Sequence, residues 1–287
     1  MLWGRTRQIM NGHDMDKILI NSLPKSGTNM VQKCLDLALV PYSGKSVAAS
    51  SAFGRYAVIK QVLRMPKTAE TPVMIGLEVP IGVSPRWLTS YLRRADGYVT
   101  GHAAYSEHYH AILRSQGYKM LQVIRHPCAV LASWASYIAE PGYYWREPHI
   151  RLAKLSIKQR IDHLLNGWGD PRSSFYYRSF RSVLNQLQGW VDAEGVLIVK
   201  YEDIVGGKGG GDDNLQRDTI ANIFRHIGVP DDGVLMERVV SHLYGGTHTF
   251  RNGQVDGWRQ VIDPGLESLI YDRLHDHPVM ERLGYFE

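Results

Sequence analysis

The chain has few cysteines, only Cys34 and Cys128 among 287 residues, and both fall within apolar helical spacing. They read as small buried hydrophobes rather than a disulfide, which points to a reducing compartment. No apolar run approaches the roughly 20 residues that a membrane-spanning helix needs. The opening stretch MLWGRTRQIMNGHDMDK holds no apolar signal core. Residues 1–16 are therefore expected to form a flexible arm ahead of one domain at 17–287, in the cytoplasm and with no membrane partner. A dense lysine and arginine stripe is also missing. The net charge of +5 suits an anionic ligand or a solvated surface equally, and it does not suggest nucleic acid. Arg172, Arg178 and Arg181 read as a solvated helix face. No cysteine or carboxylate completes a ligand set around His102, His108 and His110, so no metal is expected. Internal repeats are absent. The glycine cluster GGKGGG at 206–211 lacks the spacing of a Walker loop and reads as a mobile linker.

Strands and helices alternate in what remains. Short apolar runs predict strands at 17–23, 98–100, 120–124 and 195–200. Helical spacing predicts helices over 27–40, from Ser84-Pro85 to about 95, at 127–138, near 155–166 and 175–192, at 214–227 and at 265–275. Residues 41–83 show no clear periodicity and are expected to be loops with broken helices and a short strand. The pattern implies an α/β fold of three layers, a mostly parallel sheet flanked by helices with a P-loop-like nucleotide-binding architecture. The length allows a substantial core.

Four stretches carry chemistry. ILINSLPKSGTNM at 18–30 brings a strand to a helix start through Pro24-Lys25-Ser26-Gly27-Thr28. The lysine precedes the glycine, the reverse of G-x-x-x-x-G-K-[ST]. Backbone N–H groups at Ser26, Gly27, Thr28 and Asn29 would point at an anion, helped by the helix dipole. Gly27 would let the backbone approach, Ser26 and Thr28 would add hydroxyl donors, and Lys25 a mobile charge. A capped helix beside a surface lysine is the plainer alternative. In LQVIRHPCAVLASWASY at 121–137, Arg125 ends a strand and Ser133 lies in the next helix. That places a forked donor at the crevice where open α/β sheets bind ligands, although an arginine paired with a carboxylate would look the same. THTFRNGQVDGW at 247–258 sets Arg251 beside a glycine turn. VKYED at 199–203 ends a strand on Tyr201, which either lines a base pocket or caps the core.

Taken in order, these stretches resemble the cytosolic-type sulfotransferase family, which uses 3′-phosphoadenosine 5′-phosphosulfate (PAPS). LPKSGT resembles that family's 5′-phosphosulfate loop and RHPCAVLAS its 3′-phosphate motif. KYED resembles the segment with an adenine-contacting aromatic, and FRNGQVDGW the C-terminal R-K-G-x-x-G-D-W segment. The resemblance spans about residues 17–260. It implies that Lys25, Ser26, Gly27, Thr28 and Asn29 hold the 5′-phosphosulfate. Arg125, Ser133, Arg251, Asn252 and Gly253 would hold the 3′-phosphate, and Tyr201 would touch the adenine. His102, in VTGHAAY, stands where the family has its catalytic histidine. Met30 replaces a commonly found tryptophan, His126 an aspartate, and Asn252 a lysine. The family's dimer motif is not recognisable at 259–268, where Pro264 interrupts, so the oligomeric state is left open.

The implied reaction moves a sulfonate from PAPS to a hydroxyl or amine of a small-molecule acceptor, such as a specialised metabolite, and leaves 3′,5′-ADP. Histidine suits the base because its ordinary pKa lies near operating pH. Lys25 would follow the charge on the leaving oxygen, and Ser26 would steer the lysine. Two phosphate grips would separate PAPS from ATP. The rivals are a P-loop small-molecule kinase, which lacks its glycine-lysine order and a clear Mg²⁺ aspartate, and a nucleotide-binding module without turnover. Acceptor walls are expected from 45–85, 102–110 and 143–146, with Glu78, Glu107 and Glu140 as candidate contacts.

Overall fold

The apolar run at 17–23 forms β1 (Lys17–Ser22), the middle strand of a five-stranded parallel sheet. Its flanks are β5 (Tyr98–Gly101) on one side and β6 (Tyr118–Ile124) on the other. β2 (Tyr42–Val47) lies beyond β5 and β7 (Val196–Lys200) beyond β6, giving the order β2-β5-β1-β6-β7. The structure, a computed structural model, describes residues 17–47, 71–77, 82–140, 147–169, 177–230, 232–246 and 253–286. A separate two-stranded antiparallel piece pairs β3 (Val73–Met74) with β4 (Gly82–Val83).

Both faces of the sheet are covered, which is why its central strands read as continuous apolar runs rather than as alternation. On one face Ile18, Ile20, Leu121 and Val199 pack with α1 (Thr28–Leu37), α9 (Asp213–Ile227) and α10 (Gly233–Leu243). On the other, Leu19, Val99 and Met120 pack with α2 (Pro85–Arg93), α3 (Glu107–Ser115), α4 (Pro127–Ile138), α6 (Ile157–Asn166) and α7 (Phe180–Asp192). The remaining helices are α5 (Glu147–Ala153), the single turn α8 (Tyr201–Ile204), α11 (Pro264–Leu274) and α12 (Pro278–Arg282). This is the three-layer α/β arrangement that the sequence implied. No described helix is long and apolar enough to cross a membrane.

Local chemistry places the boundaries. Ser84 accepts from Trp87 N and Pro85 opens α2, as a serine cap followed by proline should. α4 spans the predicted residues, capped by His126 Nδ1 accepting from Cys128 N. Cys34 and Cys128 are buried free thiols, and burial pushes each up to about 12.

Within 41–83 the expected short strand is β2, which pairs with β5. As an edge strand only its Val47 is buried, so YSGKSV shows no apolar alternation. Two other expectations are corrected. The glycine cluster is a packed turn rather than a mobile linker. Gly207 N–H donates to Asp213 Oδ1 at 2.7 Å, Gly207–Gly209 forms a 3-10 turn, and a Cβ on Gly209 would lie 2.1 Å from Val205 Cγ2. The glycines there allow close approach instead of motion. Arg178 is not on a solvated face, because its Nη1 donates to the carbonyls of Gly76 and Leu77 at 2.8 and 3.0 Å. Arg181 is exposed and pairs with Asp276. Arg172 and the arm at 1–16 lie outside the described residues.

Candidate functional site at the carboxyl ends of four strands

Strands β5, β1, β6 and β7 are neighbours in that order. Immediately after them come His102, the turn 23–28, Arg125 and Tyr201. Three inter-strand steps of about 4.8 Å put all four within about 15 Å along one edge of the sheet. That edge, outside the carboxyl ends of parallel strands, is where open α/β sheets bind ligands.

The turn after β1 is built to expose backbone donors. Lys25 (φ 66°) and Gly27 (φ 106°) both adopt left-handed backbone. At Gly27 a Cβ would also sit 2.5 Å from Tyr201 Cδ2, so glycine is required twice over. Among described helices of eight or more residues, α1 alone has no side-chain cap, while the others are closed by serine, histidine or aspartate. The start of α1, with Asn29 in its first turn, lies at this edge of the sheet. Lys25 Nζ lies 3.9 Å from the centre of the Tyr137 ring. Tyr137 is one turn beyond Ser133 on α4, so the lysine reaches the helix that follows Arg125.

Ser26 is corrected. It is 0 % exposed, and its single hydroxyl proton is shared between the carbonyls of Leu23 at 2.6 Å and Val123 at 3.0 Å. Its N–H also donates to Leu23 O. The residue ties the turn to β1 and β6, and neither its hydroxyl nor its N–H is turned toward a ligand or the lysine.

The second cluster gathers around Arg125. Its guanidinium stacks 3.9 Å above the Tyr201 ring, and Nη2 donates to Gln254 O at 3.0 Å. Tyr201 is 4 % exposed and donates its hydroxyl to Gly253 O at 2.7 Å. Burial holds that phenol's pKa up, against the opposing pull of Arg125. Tyr201 thus caps the core between Gly27 and Arg125, and it offers little ring surface to a base. Gln254 Nε2 donates to Lys208 O and to Tyr244 Oη. Arg125 Nε is buried and meets no hydrogen-bond partner among the described residues. An orphaned guanidinium N–H is costly unless an acceptor arrives, so this cluster fits a phosphate. The Ser133 hydroxyl, two turns into α4, is partly exposed. Arg251 and Asn252 lie outside the described residues.

His102 is held on all sides. Its N–H donates to Val47 O, and its carbonyl accepts from Leu77 N, both at 3.1 Å. Nδ1 lies 2.9 Å from Ser22 O, an atom that can only accept, so Nδ1 carries the proton and Nε2 keeps its lone pair. The next residue is fixed more firmly. Ala103 N donates to Asn21 Oδ1 at 2.8 Å, and Ala103 O accepts from Asn21 Nδ2 at 3.1 Å and Trp190 Nε1 at 2.9 Å. Asn21 Nδ2 also donates to Gln122 Oε1 at 2.8 Å. His108 is exposed on α3, whereas His110 is buried against Tyr105 and Trp190, so neither joins His102. Met30 is buried in the core beside Ile20 and presents nothing to a base. Of the other candidate contacts, Glu107 accepts from Tyr105 Oη at 2.7 Å. Glu78 and residues 143–146 lie outside the described residues.

Comparison with known proteins gives a fold and no sequence family. No protein-family model and no curated protein matches the chain. Among solved structures, mouse sulfotransferase SULT7A1 complexed with PAP matches with a TM-score of 0.58 at 13 % identity, over 95 % of this chain and 89 % of that one. Retinol dehydratase in complex with androsterone and the inactive cofactor PAP matches with a TM-score of 0.53 at 15 % identity, over 91 % and 81 %. The same enzyme with retinol and PAP gives 0.54 at 14 %, over 91 % and 80 %. The chain therefore has the cytosolic-type sulfotransferase fold.

Proposed function

We propose that the protein is a sulfotransferase that takes a sulfonate group from PAPS and passes it to a hydroxyl or amine of a small-molecule acceptor. The observation that carries this reading is the alignment, on four adjacent strand ends, of an uncapped helix start with Lys25, an arginine with an orphaned N–H, and a histidine whose Nδ1–H is held by Ser22 O. Gly27, Thr28 and Asn29 would hold the 5′ end through the start of α1. Arg125 and Ser133, with Gly253 and the flanking Arg251 and Asn252, would hold the 3′-phosphate. The bound donor supplies a sulfonate joined to a leaving phosphate. His102 accepts the acceptor's proton at Nε2 as the new S–O or S–N bond forms. Lys25 and the helix start then neutralise the charge on the departing phosphate oxygen.

The test is transfer of radiolabelled sulfonate from PAPS to a panel of alcohols, phenols and amines. His102→Ala should lower turnover by about 10²–10⁴-fold and leave 3′,5′-ADP binding within a few fold. Equal loss of binding and turnover, or transfer only to a polymeric glycan, would count against the reading.

A further inference from the structure

β1 ends on Ser22, a residue whose side chain is 0 % exposed and which touches two parts of the site at once. Its Oγ lies 2.6 Å from Thr28 Oγ1, 3.0 Å from His102 Nδ1 and 3.3 Å from Gly101 O. We propose that Ser22 is a positioning residue whose hydroxyl couples His102 to the turn at the start of α1 through the hydroxyl of Thr28. The proposal rests on the reading of His102 as the base.

Nδ1–H faces two acceptors on one residue, the carbonyl at 2.9 Å and Oγ at 3.0 Å. The carbonyl can serve only as acceptor, so Ser22 Oγ does not donate to Nδ1. Its proton goes either to Gly101 O or to Thr28 Oγ1. The Gly101 contact is long and the Thr28 contact short, but the short one can run in either direction. With nothing at the start of α1, Thr28 can donate inward to Ser22. An anion there accepts the Thr28 proton instead. Ser22 then donates to Thr28, and all donors point one way, from imidazole to serine to threonine to anion. Bonds in such a chain strengthen one another. The imidazolium formed when Nε2 takes a proton is a stronger donor at Nδ1, so the chain favours the protonated base when the turn is filled. No proton needs to move along it.

The primary readout is ¹H–¹⁵N NMR of histidine-labelled protein. In the wild type the His102 Nδ1–H signal should be present without ligand and should move downfield on saturation with 3′,5′-ADP. In Ser22→Ala the carbonyl keeps the tautomer, so the signal should remain, but its response to 3′,5′-ADP should be lost. Turnover should fall about tenfold, part of the 10²–10⁴ that a positioned base supplies, with the donor KM within about threefold. Ser22→Thr should restore both. If the alanine variant does not fold, Thr28→Val at saturating 3′,5′-ADP serves, because it keeps the Ser22–His102 contact and cuts the link outward. An identical NMR response in Ser22→Ala overturns the coupling even if His102→Ala abolishes turnover. Failure of 3′,5′-ADP to bind the wild type overturns the coupling and the nucleotide reading together. Full turnover in His102→Ala overturns the base reading alone.

Discussion

Replacing Asn21 by alanine tests whether the buried network holds the histidine segment in place. Asn21 is 2 % exposed and makes three hydrogen bonds, to Ala103 N, Ala103 O and Gln122 Oε1. The substitution does not orphan Ala103 O, which keeps its bond from Trp190 Nε1. It does orphan Ala103 N–H and Gln122 Oε1, both on residues with 0 % exposure. Each buried orphan costs about 1–3 kcal/mol, so the pair should cost about 4 kcal/mol, or about 2 if a water enters the space left by the side chain. Trp190→Phe is the contrast. It removes one of two donors from an acceptor that stays paired, and should cost about 1 kcal/mol from the hydrogen bond. Urea unfolding followed by fluorescence measures the first, and circular dichroism both, with an unchanged m-value required for comparison. Ala103 adjoins His102, so Asn21→Ala should also lower kcat more than it raises KM. A loss below about 1 kcal/mol for Asn21→Ala would show that Ala103 N–H and Gln122 Oε1 are not left unpaired.

Two further predictions concern the turn and the pH range. Gly27→Ala should weaken 3′,5′-ADP binding at least tenfold by calorimetry, because φ 106° is strained for alanine and its Cβ would press on Tyr201; unchanged affinity would contradict the close packing. His126, stacked on Trp258, has its pKa pushed down to about 4, first by burial and then by Arg259. The unfolded chain, with a histidine pKa near 6.5, binds that proton first, so stability is full above about pH 6.5 and falls as pH drops toward 4. Between pH 6.5 and 5 the loss should approach about 2 kcal/mol, with His277, lowered by burial, adding to it. His126→Asn should flatten much of that slope in urea midpoints, and an unchanged slope would contradict the burial argument.

The parts of this molecule legible in its sequence are those where chemistry is local. The runs at 17–23, 120–124 and 195–200 are strands because central parallel strands are apolar on both faces. The order of Lys25, Arg125 and Tyr201 is readable because each follows such a run. Long-range packing was not readable. β2 is polar and owes its pairing to β5, 55 residues away at the Ser43–Tyr98 contact. GGKGGG looks flexible by composition, and the distant neighbours Asp213 and Gln216, with Val205, reveal why its glycines pack. Ser26 has the residue type of an anion ligand, but the carbonyls of Leu23 and Val123 claim its hydroxyl. Asn21, Ser22 and Gln122 belong to no local motif, because the groups they pair with lie on or just past other strands. Ser22 and Asn21 find their partners at 102 and 103, past another strand's end, and Gln122 accepts from Asn21. The alternation of Asn21 and Gln122 within apolar runs was the one available signal.

The proposed sulfonate transfer requires this edge of the sheet to grip a nucleotide with phosphates at both the 3′ and 5′ positions. Thermal unfolding with 3′,5′-ADP, 5′-ADP and ATP–Mg²⁺ in parallel tests it most directly. At about a hundred times its Kd a ligand adds about 2.7 kcal/mol to stability, which is visible as a shift of several degrees. That shift is expected with 3′,5′-ADP, a much smaller one with 5′-ADP and none with ATP–Mg²⁺. A shift with ATP–Mg²⁺ and none with 3′,5′-ADP would contradict the proposed transfer.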